Sequence, residues 1–446
     1  MKKVLILGAG MVVKPIVTYL LDKDILVTVA SRTKSKAEAM IDGHVNGTAV
    51  EWTVDRGEEL DVMVREHDLT VSLLPWIHHI MVAKHCISHK KNMVTTSYVK
   101  PEMKVLDQEA KDAGIIILNE LGLDPGIDHM SAMRIIDHVH NKGGKIEEFY
   151  SICGALPAPE IADDNPFRYK FSWSPKGVVL AGNNDGRFLR HGKEVYIPTE
   201  DLFKNPLSVD FPNVGQLDIY PNRDSMPYIE LYGIPETKTM MRGTFRHPGW
   251  CESMDAIKAL NLLTNDTHDF TGKSYAEMLA MLIGADDAGD IKQKVATFLN
   301  IPVDAHAMKA MEWLGLFEDT RMGRRQDTPF EIVSDLMIEK MMIGEKERDM
   351  VAMQHVFLAA YPDGKKEVIK SSMLDFGTRE TDTAIARTVA LPAAVGVEMI
   401  LEGQIQEKGV HIPVIPGIYN PILDALEKMD IRMEEEFGLP ESEIIQ

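Results

Sequence analysis

Three features of the sequence predict an α/β fold, a doubly wound parallel sheet followed by a mixed α+β domain with a helical insertion. Short aliphatic runs alternate with helical segments over residues 1–122 in steps of about 25–30 residues. A glycine turn, Gly8-Ala9-Gly10, separates the first run from the first helix, the opening of a Rossmann unit. Beyond residue 122, strands with Pro-rich and Gly-rich connections are followed by helices rich in Leu, Met and Ala.

In order, residues 2–7 read as a buried parallel strand, short and stopped by glycine. A helix over 11–21 follows, then strands at 25–30, 49–52, 69–73, 93–96 and 115–119 with helices between. Residues 125–141 form one amphipathic helix, with Pro125 in its first turn and Gly143-Gly144 after its end. The stretch 146–245 is strand-rich and 256–346 helical. Tyr361-Pro362-Asp363-Gly364 marks a hairpin between 349–360 and 365–376. A helix spans 383–402, and the acidic tail 433–446 is expected to be exposed. The domains implied are 1–122, with 383–446 packing back on it; 123–255 with 349–382, a substrate and dimerisation domain; and an insertion at 256–348. The methionines, among them Met278, Met281, Met337, Met341 and Met342, read as core filling.

Composition narrows the function. The 446 residues carry a net charge of −20, which disfavours nucleic acid and anionic lipid as partners. Three cysteines (Cys86, Cys153 and Cys251) without a CxxC pair make neither a disulfide framework nor a zinc site. The apolar start is broken by Gly8, Gly10, Lys14 and Pro15, so no signal peptide is expected, and no apolar run reaches about 18 residues. The cytoplasm is the expected compartment. His78, His79, His85 and His89 fall on one helix, but without an acidic third ligand nearby no metal is expected.

Gly8 permits the bend and Gly10 the close approach of a pyrophosphate to the helix N-terminus; Val13 stands where the third glycine is usual. Strand two ends in Ser31-Arg32-Thr33-Lys34, where an NAD site carries an acid. Two cations and two hydroxyls suit a 2′-phosphate, so NADP(H) is expected. Leu74 leaves the fourth strand where such folds pass beneath the cofactor. Thr95-Thr96-Ser97-Tyr98 and Leu121-Gly122-Leu123-Asp124-Pro125-Gly126 end the fifth and sixth strands, and so face the ligand crevice. Asp124 reads as a substrate contact, a helix N-cap, or both. Arg242, Thr244 and Arg246 share a strand face, and Arg223 lies in a loop. These arginines suit a substrate with several carboxylates, or pair with structural acids.

These strings, with Cys153-Gly154-Ala155-Leu156-Pro157, Asn165-Pro166-Phe167-Arg168, Pro221-Asn222-Arg223-Asp224 and Arg387-Thr388-Val389-Ala390, resemble the NADP-dependent, L-glutamate-forming saccharopine dehydrogenase family over nearly the whole chain. The resemblance implies interconversion of saccharopine, NADP and water with L-2-aminoadipate 6-semialdehyde, L-glutamate and NADPH, by a homodimer. It implies substrate contacts at Ser97, Tyr98, Asp124, Arg223 and Thr244. NADP contacts are implied at Gly10, Met11, Val12, Val13, Ser31, Arg32, Thr33, Leu123, Asp124, Ser172, Trp173, Ser174 and Pro175. It places Tyr98, Asp124 and Cys153 near the reacting carbon, with Cys153 equally readable as a small buried hydrophobe. A sister opine-type reductase acting on a polyamine precursor and a non-catalytic NADP-binding regulator are the alternatives.

Overall fold

Val4, Leu5, Ile6 and Leu7 have no solvent exposure, as a strand covered on both faces requires. In the computed structural model, which describes residues 1–445, they form β1 (Lys3–Leu7). β2 (Leu26–Ser31), β3 (Gly47–Glu51), β4 (Leu69–Ser72), β5 (Asn92–Val94) and β6 (Ile116–Leu118) follow. All pair in parallel, in the order β6-β5-β4-β1-β2-β3. The chain reverses direction across the sheet at β1, so the ligand crevice is expected beyond the carboxyl ends of β1, β2 and β4. A seventh strand, Gly409–His411, adds in parallel to β6; the sequence reading did not include it.

The chain divides into two units, residues 1–144 with 371–436 and residues 145–370 with 437–446. The first boundary falls after 144 rather than 122 because helix Ile127–Asn141 packs on helix Pro416–Glu427. That helix starts at Ile127, not at Pro125, which lies in the preceding turn. The first helix likewise begins at Lys14 rather than Met11, the residues between being a turn closed by Val13 N–H on the Gly10 carbonyl. Helix Ala384–Leu401 is 18 residues long and, contrary to the expectation that no such segment exists, apolar enough to cross a membrane; 72% of it is buried inside the protein. It packs against helix Lys14–Asp22, where the Tyr19 hydroxyl donates to Glu398 and Lys23 pairs with the same carboxylate at 2.7 Å.

In the second unit, Lys145–Pro157 runs parallel to Thr239–Arg246 and antiparallel to Asp349–Ala360. Gly215–Pro221 and Leu207–Phe211 extend the sheet on one side, and a hairpin of Gly186–Arg190 with Lys193–Ile197 branches from Thr239–Arg246. The Tyr361–Gly364 turn closes as expected, with Tyr361 N–H on the Lys365 carbonyl at 2.9 Å. The segment 256–348, read as an insertion, is helical as expected, its first helix starting earlier at Trp250, but it does not separate as a unit of its own. Met278, Met337 and Met341 are fully buried, whereas Met342 is 39% exposed. The acidic tail includes the strand Glu434–Leu439, which is mostly exposed.

Candidate active site

The carboxyl ends of β1, β2 and β4 enclose a cleft of about 400 Å³, lined by Gly8, Ala9, Gly10, Ser31, Arg32, Thr33, Lys36, Trp52, Thr53, Val54, Leu74 and Pro75 among others. Its two glycines are needed for different reasons. Gly8 has φ 114°, and a Cβ there would stand 2.8 Å from the Leu73 carbonyl oxygen, so the fold itself demands glycine. Gly10 has ordinary backbone, and a Cβ there would meet no protein atom within 4 Å. Packing gives no reason for glycine at 10; space for a ligand does. Arg32 and Lys36 supply the positive charge, while Lys34, expected to share that role, pairs with Glu38 at 3.5 Å.

Met11, Val12 and Val13 form the turn into the helix rather than the cleft wall, and Val13 is a core residue. Leu123 is buried in the turn beyond β6 and does not line the cleft. In that turn Gly122 N–H donates to the Pro125 carbonyl at 3.0 Å and Ile127 N–H to the Gly122 carbonyl at 2.9 Å. Gly126 has φ 148°, and a Cβ would sit 2.0 Å from the Gly122 oxygen, so the loop closes only with glycine. Asp124 stands within it and accepts from the Tyr98 hydroxyl through Oδ1 at 2.7 Å. The N-cap of helix Ile127–Asn141 is Gly126, without a side-chain cap, so Asp124 is not the cap that the sequence allowed.

Ser97, beside Tyr98, meets His79 Nε2 at 2.8 Å, while His79 Nδ1 lies 2.8 Å from Ser72 Oγ at the end of β4. Burial, with the neighbouring His78 charge second, pushes His79 down to about 4. The ring is therefore neutral at pH 7, with one nitrogen donating and the other accepting. Its folded pKa lies below the unfolded value of about 6.5, so the unfolded chain takes the proton first. The stabilisation is complete above about pH 6.5 and is lost as pH falls toward 4, roughly 3 kcal/mol in all. Urea unfolding across that window should show His79→Asn less acid-sensitive than wild type; equal sensitivity would contradict the assignment. His85 and His89 instead share Asp61 Oδ1, at 3.1 and 2.7 Å. Asp61, distant in sequence, is the neighbouring acid that the reading lacked, although no group of three or more such side chains among the described residues is arranged to hold a metal.

In the second unit, Thr244 lies opposite Cys153 on one neighbouring strand and opposite Tyr220 on the other. Arg242, Thr244, Arg246 and Cys153 thus share one sheet face. Cys153 is buried, as are the other two cysteines. Arg242 lies over the Tyr228 ring at 4.2 Å, and Arg223, at φ 59°, is exposed in the adjoining loop. Arg246 is only 4% exposed. Its guanidinium lies 5.0, 5.3 and 5.5 Å from the rings of Tyr169, Trp250 and Tyr220. Nη1 donates to the Phe245 carbonyl at 2.8 Å, and Nε has no hydrogen-bond partner among the described residues. Ser172 is buried and Trp173 half-buried, and Ser174 precedes helix Pro175–Ala181.

Residues 4–118 match the family model "Saccharopine dehydrogenase NADP binding domain", and residues 122–431 match "Saccharopine dehydrogenase C-terminal domain". The chain belongs to the saccharopine dehydrogenase family. It is 38% identical to the saccharopine dehydrogenase [NADP(+), L-glutamate-forming] of Schizosaccharomyces pombe, over 98% of this chain and 99% of that one. It is also 38% identical to the mitochondrial alpha-aminoadipic semialdehyde synthase of Bos taurus, over 96% of this chain and 47% of the longer relative. The apo L-Glu-forming saccharopine dehydrogenase of Saccharomyces cerevisiae superposes with a TM-score of 0.90, covering 98% of this chain and all of that one at 35% identity. Family membership and the Rossmann-plus-mixed-sheet architecture expected from the sequence therefore hold.

Within this family the cleft fits NADP: Gly10 leaves room at the helix N-terminus, and Arg32 and Lys36 line the cleft as the cations that would hold a 2′-phosphate. Sequence reasoning missed Lys36, Trp52, Thr53 and Val54. Lys36 was findable as a third cation in the same segment; nothing local marks the other three. Gly10→Ala is expected to leave the melting temperature unchanged but weaken NADPH binding tenfold or more, an added methyl in a filled space costing about 1–3 kcal/mol. Gly8→Ala should instead lower the melting temperature. NADPH titration and thermal unfolding of both variants check this.

Proposed function

We propose that this chain interconverts L-saccharopine, NADP+ and water with L-2-aminoadipate 6-semialdehyde, L-glutamate, NADPH and a proton. The observation that carries the reading is the hydrogen-bonded Tyr98–Asp124 pair, a proton donor and an acceptor on adjacent strand ends of a sheet with a dinucleotide cleft. NADP, when bound, accepts the hydride from the carbon beside the secondary amine. The chain's own residues manage water and protons. With its hydrogen committed to Asp124, the Tyr98 oxygen offers lone pairs to the substrate N–H. Asp124 takes a proton from the water that adds to the imine carbon, and returns it to the nitrogen as the carbinolamine breaks to aldehyde and amine. Ser97, oriented by His79, is a further contact. Arg246 supports an anionic substrate, because a buried guanidinium without an acidic partner among the described residues is balanced by a ligand carboxylate. Arg223, Arg242 and Thr244 are assigned to the substrate as well, with Cys153 on the sheet face of the last two. Family resemblance alone assigns Ser172, Trp173, Ser174 and Pro175 to NADP.

Purified protein mixed with saccharopine and NADP+ should form NADPH, and far more slowly with NAD+; no NADPH would refute the reading. The cytoplasm remains our expected compartment, supported by three buried cysteines outside any disulfide. We also infer a homodimer, supported by strand Leu207–Phe211, which ends its sheet path without a further partner among the described residues. Light scattering at the monomer mass would refute that.

A further inference from the structure

The Tyr98–Asp124 pair is tied to a buried acid–base network that the proposed reaction does not consume. Glu120, two residues past β6, is 4% exposed, yet its backbone is left-handed, with φ 57°. For a residue other than glycine that conformation costs about 1–3 kcal/mol, and glycine or asparagine would adopt it more cheaply. Both carboxylate oxygens are engaged. Oε1 accepts from Val99 N–H at 2.8 Å, and Oε2 lies 2.7 Å from His129 Nε2. The Glu120 N–H donates to the Ser97 carbonyl at 3.1 Å. His129 has no exposure, and its Nδ1 lies 3.6 Å from Asp128 Oδ2. Asp128 in turn accepts from Gly126 N–H through Oδ1 at 2.6 Å.

The ends of this chain are informative. Val99 directly follows Tyr98, and Gly126 closes the turn that holds Asp124. The path Val99–Glu120–His129–Asp128–Gly126 therefore links the two loops whose tips make the 2.7 Å Tyr98–Asp124 hydrogen bond. A buried carboxylate on strained backbone, with both oxygens spent on such a link, is explained by positioning and not by packing. We propose that Glu120, acting through Val99 and His129, is a positioning residue that holds Tyr98 and Asp124 in register for proton transfer. This rests on the reaction assigned above.

Glu120→Gln keeps the shape and removes the charge that orders the network. Measured in saccharopine oxidation, it should lose about a hundredfold in kcat, the usual consequence of a misplacement near 1 Å. KM for saccharopine and the Kd for NADPH should stay within about threefold, since neither ligand touches Glu120 in this account. The acidic limb of the kcat profile should also move, because the surroundings of Asp124 change; a purely structural role would leave it in place. Should Glu120→Gln fail to fold, His129→Asn carries the same test, with folding followed by NADPH binding. Wild-type kcat and an unshifted pH profile in a folded variant overturn the proposal. The two readings fail separately: an inactive wild type defeats the reaction, whereas an active wild type with an unaffected Glu120→Gln defeats only the network.

Discussion

Asp124→Ala is expected to lower kcat for saccharopine oxidation by about 10²–10⁴-fold, the range for loss of a positioned proton acceptor, while NADPH binds nearly as before. The asymmetry follows from the geometry. Asp124 lies in the turn beyond β6 and does not line the cleft that fits the dinucleotide. It accepts a hydrogen bond from the Tyr98 hydroxyl, its link to the proposed machinery. Removing it frees the phenol to rotate and leaves the attacking water without a base. The glycines at 122 and 126 continue to shape the loop, so the fold should survive. Stopped-flow turnover together with NADPH titration separates the effects, and wild-type turnover would remove Asp124 from the site.

Arg246→Leu is expected to raise KM for saccharopine by two to three orders of magnitude, since truncating one partner of a buried charge pair costs about 2–5 kcal/mol. Stability should change little or improve. The guanidinium sits among Tyr169, Tyr220 and Trp250 with the Phe245 carbonyl as its one hydrogen-bond acceptor among the described residues, so the ligand-free protein carries an incompletely compensated desolvated charge. Leucine relieves that cost and keeps the apolar contact. If KM is unchanged and the melting temperature drops, Arg246 serves the aromatic cluster and not a substrate carboxylate.

The parallel sheet was legible because aliphatic runs in β1, β2 and β4 lie between glycine stops, and buried strands leave that pattern in sequence. Gly409–His411 was not legible: three residues, far along the chain, carry no usable periodicity. Helix starts were misplaced where a turn residue also suits a helix, as at Pro125, whose carbonyl closes the Gly122 turn. Which of Lys34 and Lys36 meets the cleft was not legible, for a geometric reason. Residues two apart on a helix lie on nearly opposite sides, and which side meets the cleft depends on how helix Lys34–Ile41 packs. Asp61 reaches His85 and His89 only through packing between two helices. Helix Ala384–Leu401 was read as a helix but not as a long apolar segment, because Arg387 and Glu398 break its apolar run, although both find partners, Asp375 and Lys23, within the first unit. The Gly8–Gly10 turn and the Thr95–Tyr98 and Leu121–Gly126 strand ends were readable, because crevice residues sit at strand termini in such sheets. Glu120 and His129 were quoted or passed by without a role, since only the folded chain joins them to Val99 and Gly126.

A crystal structure with NADP+ and saccharopine bound is the most direct test. It should show the 2′-phosphate held by Ser31, Arg32 and Lys36, the secondary amine within hydrogen-bond reach of Tyr98 or Asp124, and a substrate carboxylate on Arg246. Density for the dinucleotide away from the β1–β2 cleft, or for the amino acid remote from Asp124 and Arg246, would contradict the account.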